Sequence, residues 1–170
     1  MSGYMLRPLV SFKYPAMKTF LPILQFVLIT FLVGYISMLL QRDAMVTWYP
    51  ALVKSPLTPP GIVFSIVWSI LYLLMGISAG LLWNARTLYS GALILVFVVQ
   101  LLLNLAWSFC FFYLHSPVLA FAVLVVLFMF VVLYVSGCYT QYRWAAIMNI
   151  PYVLWLLFAG YLNIYVVMNN

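Results

Sequence analysis

Acidic side chains are almost absent from this chain: among 170 residues only Asp43 carries a carboxylate, and there is no glutamate. A lone carboxylate removes the paired acid and base that hydrolytic enzymes need within one subunit. Histidine is represented by His115 alone and cysteine by Cys110 and Cys138, with no Cys-x-x-Cys or His-Glu metal spacing. Both cysteines fall in apolar text, where they read as small packing residues. A phosphate-binding glycine loop and a nucleophile elbow are missing as well. Hydrolases and ordinary metalloenzymes are therefore disfavoured.

What the chain has in quantity is apolar surface. Hydrophobic residues make up 69%, charged residues 5%, and the mean hydropathy is +1.22, against roughly 25% charged residues in an ordinary soluble domain. The apolar runs are continuous rather than alternating, so they predict membrane helices and not a barrel. At about 20 residues per span, five segments emerge: 19–41, 60–83, 88–114, 117–139 and 144–168. The expected fold is an all-α membrane protein, a single five-transmembrane-helix bundle over 19–170, preceded by a short basic tail at 1–18.

Local chemistry sets the boundaries. Thr58 before Pro59 and Pro60, and Ser116 before Pro117, predict hydroxyl caps on proline-started helices. The tail does not read as a cleavable signal, because Arg7, Lys13 and Lys18 precede an overlong apolar run without a small-residue cleavage site. Met17 is an alternative start. Five Lys and Arg fall at the tail, Arg86 and Arg143, against two, Arg42 and Lys54, in the first loop. The positive-inside rule then places the N-terminus in the cytoplasm. The net charge of +6 thus bears on topology rather than on nucleic acid, which would need a clustered basic face.

No span contains a charged residue, whereas ion-coupled transporters usually retain one for their pathway. The spans carry amides instead: Gln25, Gln100, Asn104, Asn149 and Asn163. An unpaired amide costs a few kcal/mol in hydrocarbon, so each is expected to face the bundle interior. Helical spacing lines Gln100, Asn104, Trp107 and Phe111 along the third span. It lines Phe64, Trp68, Tyr72 and Met75 along the second, and Tyr152, Trp155, Ala159 and Asn163 along the fifth. Three such stripes suit an aromatic pocket for a flat apolar ligand, and equally suit interhelical packing. Gly76 and Gly80 form a small-xxx-small pair that fits either self-association or packing within the bundle. Gly91 and Ala92 mark a second candidate face.

The text Trp48-Tyr49, Leu52, Lys54, Thr58-Pro59-Pro60-Gly61, Val63-Phe64, Val67-Trp68, Leu71-Tyr72, Leu74-Met75-Gly76 resembles the translocator protein family, also called tryptophan-rich sensory proteins or peripheral-type benzodiazepine receptors. Gln100 to Pro117 and Pro151 to Asn163 agree with the same family in order and spacing. The resemblance implies a five-helix homodimer whose pocket takes porphyrins, sterols in some members, and benzodiazepine-type ligands, with no cofactor required. Carried over by motif, the ligand-binding positions are Tyr49, Pro59, Trp68, Tyr72, Asn104, Trp107, Trp155 and Ala159. Trp68 and Trp155 are also the candidates for the light- and oxygen-dependent porphyrin breakdown reported for some bacterial members.

Departures from the family pattern matter too. Leu57 and Ile62 stand where the family often has aromatics, and the C-terminal sterol pattern is broken because Leu162 and Tyr165 are followed by no basic residue. Looser matches are Val10 with Tyr14 and Lys18, and Val135 with Tyr139 and Arg143. Tetrapyrrole binding therefore ranks above sterol binding, and a bacterial membrane is preferred. Arg42 and Lys54 are the cations available for propionates, and His115 is the sole candidate for an axial haem ligand. Three function classes stand: a tetrapyrrole-binding protein or sensor, a translocator of such ligands, and a photooxidative enzyme.

Overall fold

The computed structural model describes residues 16–170; the basic tail before Ala16 and the sterol-like pattern beginning at Val10 lie outside these residues. Helices are α1 (Ala16–Gln41), α2 (Ala44–Thr47), α3 (Gly61–Ala85), α4 (Ser90–Ser108), α5 (Pro117–Gln141) and α6 (Arg143–Asn169). Five are long and apolar enough to cross a membrane, with α4 completed by a π-helical turn at Phe109–Tyr113. Neighbours around the bundle run α1, α3, α6, α5, α4 and back to α1. Connections at 86–89, 114–116 and Tyr142 are short, so successive spans alternate in direction.

The expected spans agree with these helices to within a few residues, but the caps do not. The residue preceding α3 is Pro60, whose carbonyl accepts from Val63 and Phe64. Thr58 instead closes a turn, its amide bonded to the Ser55 carbonyl. Ser116 does precede α5 with Pro117 in the first turn, yet its hydroxyl caps nothing. Proline already lacks one orphan amide, and helix ends at a membrane surface are within reach of water.

In lipid, helix association rests on close packing and on interhelical hydrogen bonds rather than on hydrophobic burial. Both are seen here. A Cβ at Gly76 would collide with the backbone of Val27, and one at Gly80 with the backbone of Ile23. The small-xxx-small pair is thus spent on seating α1 against α3. Across the same contact the Thr30 hydroxyl lies 2.8 Å from the Tyr72 carbonyl. On the other side of α3, Ser78 ties three helices together: its hydroxyl donates to the Ala145 carbonyl (2.9 Å) and accepts from the Asn149 amide (2.7 Å) and the Tyr134 hydroxyl (3.0 Å).

Gln100, Asn104, Asn149 and Asn163 are buried as expected, but Gln25 is exposed on the outer face of α1. The helical period explains it. Residues 23 and 27 face α3, and a position two residues from each points about 200° away.

Gly80→Leu drives a side chain into the α1 backbone and is expected to destabilise the bundle by about 1–3 kcal/mol or more. Gly91→Leu, at a glycine with open space around it within the chain, leaves the thermal midpoint unchanged in nanodiscs that each hold a single copy. Equal midpoints for the two variants would refute the α1–α3 contact.

Candidate functional site

A cavity of about 690 Å³ lies beneath the segment 42–59, which folds over one end of the bundle as a lid. Its walls come from α1, the lid, α3, α4 with its π turn, and α6, whereas α5 contributes no lining residue. Tyr49, Pro59, Trp68, Tyr72, Asn104, Trp107, Trp155 and Ala159 all line it. The stripes divide, however. Phe64, Trp68 and Tyr72 face the cavity while Met75 is in the core; Trp155, Ala159 and Asn163 face it while Tyr152 does not; Gln100 lies below it.

The aromatic walls hold one another at fixed angles. Trp68 stacks on Tyr72 with centroids 5.4 Å apart and meets Trp155 edge-on at 6.3 Å, and Phe64 meets Trp155 edge-on at 5.5 Å. Opposite, Trp107 stacks on Phe111 at 5.4 Å. Offset stacking and T-shaped contacts are the favoured geometries for aromatic quadrupoles. Phe111 and Phe112 both line the cavity, although consecutive residues of an α-helix point about 100° apart. Consecutive residues also line it on straight α-helix, as Phe64 with Ser65 and Trp68 with Ser69 do, so the cavity is wide enough to take both.

Most polar groups here are already engaged. The Tyr72 hydroxyl donates to the Asn104 carbonyl oxygen (2.9 Å), and the Asn104 amide donates to the Tyr152 hydroxyl (3.1 Å). Trp107 donates to Asn163 (3.0 Å), whose own amide donates to the Pro117 carbonyl. The indole N–H of Trp155 is buried without a partner among the described residues. Its nitrogen has almost no accessible surface, so the N–H lies behind the indole face rather than open to the cavity, and a buried donor left unpaired costs about 1–3 kcal/mol.

Lys54 behaves otherwise than its charge suggests. Its ammonium donates to the carbonyls of Tyr49 (2.9 Å), Leu52 (3.0 Å) and Pro50 (3.1 Å) and lies 5.0 Å from the Tyr49 ring centre. An ammonium has three donors, so none is left for a ligand. Arg42 also lines the cavity, and it is the cation at the mouth whose donors are not taken up by the lid. Burial raises the Tyr49 phenol above its ordinary pKa. His115 is exposed on the rim, packed on Trp48 with centroids 4.6 Å apart, and is not among the cavity residues.

The lid is fastened on two sides. Towards α6, the Asn170 side chain accepts from the Val53 amide (2.9 Å) and donates to the Val53 carbonyl (3.2 Å), while Ser55 and Tyr161 share a hydroxyl contact of 2.9 Å. Towards the π turn, Trp48 and Tyr49 pack on Phe111. Sequence reasoning missed these fastenings, and it missed the α1 wall of Gly34, Ser37, Met38 and Gln41. That wall had a signal, since these residues recur at intervals of three and four.

Asn170→Ala removes both bonds to Val53 and is expected to speed hydrogen–deuterium exchange of the Val53 amide several-fold while leaving the spans unchanged. Exchange at the wild-type rate would mean that the aromatic side of the lid holds it alone.

The TspO/MBR family model matches residues 26–168. The chain is 34% identical over 127 residues to a tryptophan-rich protein TspO of Chlorobaculum tepidum, covering 72% of this chain and 79% of the relative. It is 32% identical over 116 residues to a tryptophan-rich sensory protein of Cereibacter sphaeroides, covering 68% and 72%. The translocator protein of Bos taurus is 29% identical over 154 residues, covering 84% and 86%.

Proposed function

Because the chain belongs to the TspO/MBR family, we propose that it is a membrane-embedded binding protein or sensor for tetrapyrroles and similarly flat apolar ligands, held in the cavity under the lid. The observation that carries this reading is the cavity itself: indole and phenol faces on two walls, and Arg42 among its lining residues. A porphyrin has the matching parts, an apolar macrocycle to stack against Trp68, Trp107 and Trp155, and carboxylates to lie at the charged rim. Stacking contributes about 0.5–1.5 kcal/mol per aromatic pair beyond area burial. A homodimer with a second copy on the open α4 face around Gly91 and Ala92 belongs to the same reading.

A translocator reading draws support from a second, smaller recess of about 350 Å³ on the outer face between α3 and α6. Trp155 lines both this recess and the cavity, so one indole separates the site from lipid. A ligand crossing there would need no coupling ion, which accords with spans that lack charge. The photooxidative reading is supported by Trp68 and Trp155 both lining the cavity, where a macrocycle would lie against them.

Protoporphyrin IX titrated in nanodiscs in the dark is expected to quench tryptophan fluorescence saturably. Trp155→Phe and Arg42→Gln should each weaken binding about tenfold, equivalent to ~1.4 kcal/mol, whereas Lys54→Met acts only through lid mobility. Absence of saturable quenching, or wild-type affinity in both variants, defeats the tetrapyrrole site. Illumination of the same samples separates binder from enzyme, since turnover requires product beyond one equivalent of protein and its loss when Trp68 and Trp155 are both replaced by phenylalanine.

A further inference from the structure

The close contact between α1 and α3 does not run their full length. Starting away from the lid, it passes through Ile23 at Gly80, Val27 at Gly76 and Thr30 at the Tyr72 carbonyl. Each step of three or four residues up α1 is matched by a comparable step back along α3, as in any antiparallel pair. The last close approach is at Gly34, where a Cβ would collide with the Tyr72 ring. The same register then sets Met38 opposite Ser65 and Arg42 opposite Gly61, with Ser69 one turn above Tyr72. Among the described residues no hydrogen bond joins Met38 or Arg42 to Gly61, Ser65 or Ser69.

All five of these residues line the cavity, and all five are also exposed on the outside of the bundle. Elsewhere on α1, the lining residues Phe31 and Tyr35 are 41% and 56% exposed. A residue that both lines a cavity and faces outward stands at the edge of an opening. Ser69 is eight residues into α3, about 12 Å below its start at Gly61, and Phe31 is about 15 Å below the end of α1 at Gln41. Against a hydrocarbon core about 30 Å thick, an opening of that depth runs down the side of the bundle instead of stopping at its lid end.

We propose that the cavity has a lateral slot between the lid-proximal halves of α1 and α3, through which flat apolar ligands pass directly between bilayer and site. This route rests on the reading of the cavity as a ligand site. The other ways in are obstructed. Bonds from Asn170 to Val53, the Ser55–Tyr161 contact and ring packing on Phe111 fasten the lid, and the recess between α3 and α6 ends on the Trp155 indole. At the slot no such fastening has to be broken. The Ser65 hydroxyl donates to the Gly61 carbonyl (3.2 Å) and the Ser69 hydroxyl to the Ser65 carbonyl (2.8 Å), so both hydroxyls on this edge of α3 are satisfied within their own helix. An apolar macrocycle passing them strands no polar group, and it is already concentrated in hydrocarbon before it binds.

The test is stopped-flow tryptophan quenching by protoporphyrin IX partitioned into the lipid of nanodiscs that hold the full chain, with dissociation followed into ligand-free vesicles. Filling the slot edge with Ser65→Phe and Ser69→Phe together is expected to slow association and dissociation alike, each by about tenfold, whereas Asn170→Ala, which loosens the lid, leaves both rates at the wild-type value. Wild-type rates in the paired variant, or faster exchange in Asn170→Ala, overturn the slot as the route. A second readout needs no tetrapyrrole, and so separates failure of the route from failure of the ligand assignment. In Ala159→Cys, on the α6 wall of the cavity, the introduced thiol is expected to react several-fold faster with bilayer-partitioned N-pyrenylmaleimide than with a charged, water-soluble maleimide, above the background of Cys110 and Cys138. Adding the paired phenylalanines should slow the lipid-phase reaction. Preference for the water-soluble reagent, or a lipid-phase rate indifferent to the phenylalanines, overturns the slot even where protoporphyrin binds; lipid-phase labelling as expected without saturable quenching upholds the slot and defeats the tetrapyrrole.

Discussion

Hydrocarbon cannot solvate a peptide or an amide, and that one constraint organises this molecule. It makes every span a helix, it turns nearly all the amides of the spans inward, and it makes the hydrogen bonds between helices the specific part of an otherwise uniformly apolar assembly. Apolar side chains face both core and lipid here, so they do not by themselves say which way a helix is turned. Ser78, Asn104, Asn149 and Asn163 do, each bonding across to another part of the bundle. The glycines complete the arrangement by letting α1 approach α3 closely enough for Thr30 to reach the Tyr72 carbonyl.

The same division explains how much is legible from residues alone. Hydropathy and proline place all five spans, because span length is a property of the text itself. Six of the family-matched positions, Trp68, Tyr72, Asn104, Trp107, Trp155 and Ala159, share the cavity because aromatic and amide residues at three- and four-residue intervals mark an interior face, whereas Tyr49 and Pro59 lie in the lid and only the family resemblance pointed to them. Less legible is anything depending on where the backbone leaves the ideal helix. α4 ends in a π turn at Phe109–Tyr113, and the lid contains its own short helix and 3₁₀ turn at Tyr49–Ala51. Lys54 reads as a ligand cation because charge is visible in sequence and the carbonyls that consume it are not. Gln25 reads as interior because polarity alone does not give its phase relative to Ile23 and Val27.

The cavity and lid form a site built in layers. An outer layer of backbone and amide bonds fixes the lid, a middle layer of indoles and phenols shapes the walls, and a floor of Tyr72 and Asn104 leads into the buried polar groups below. α5, which lines none of the cavity, serves as the back of the bundle against α4 and α6. α3 and α6, by contrast, both line the cavity and carry the bundle's packing, so wall residues such as Tyr72 and Asn163 are structural ties as well.

Lys54 shows how the lid satisfies a cation with its own backbone. Its ammonium sits within a partial ring of carbonyl oxygens from Tyr49, Pro50 and Leu52, much as an alkali ion sits in a crown ether. The loop thereby carries its own tethered cation. A surface ion pair of opposite charges weakens as dissolved salt rises, but coordination by dipoles on the same short segment has no counter-charge to be screened from. A lid folded in this way keeps its shape across wide changes in ionic strength outside the membrane.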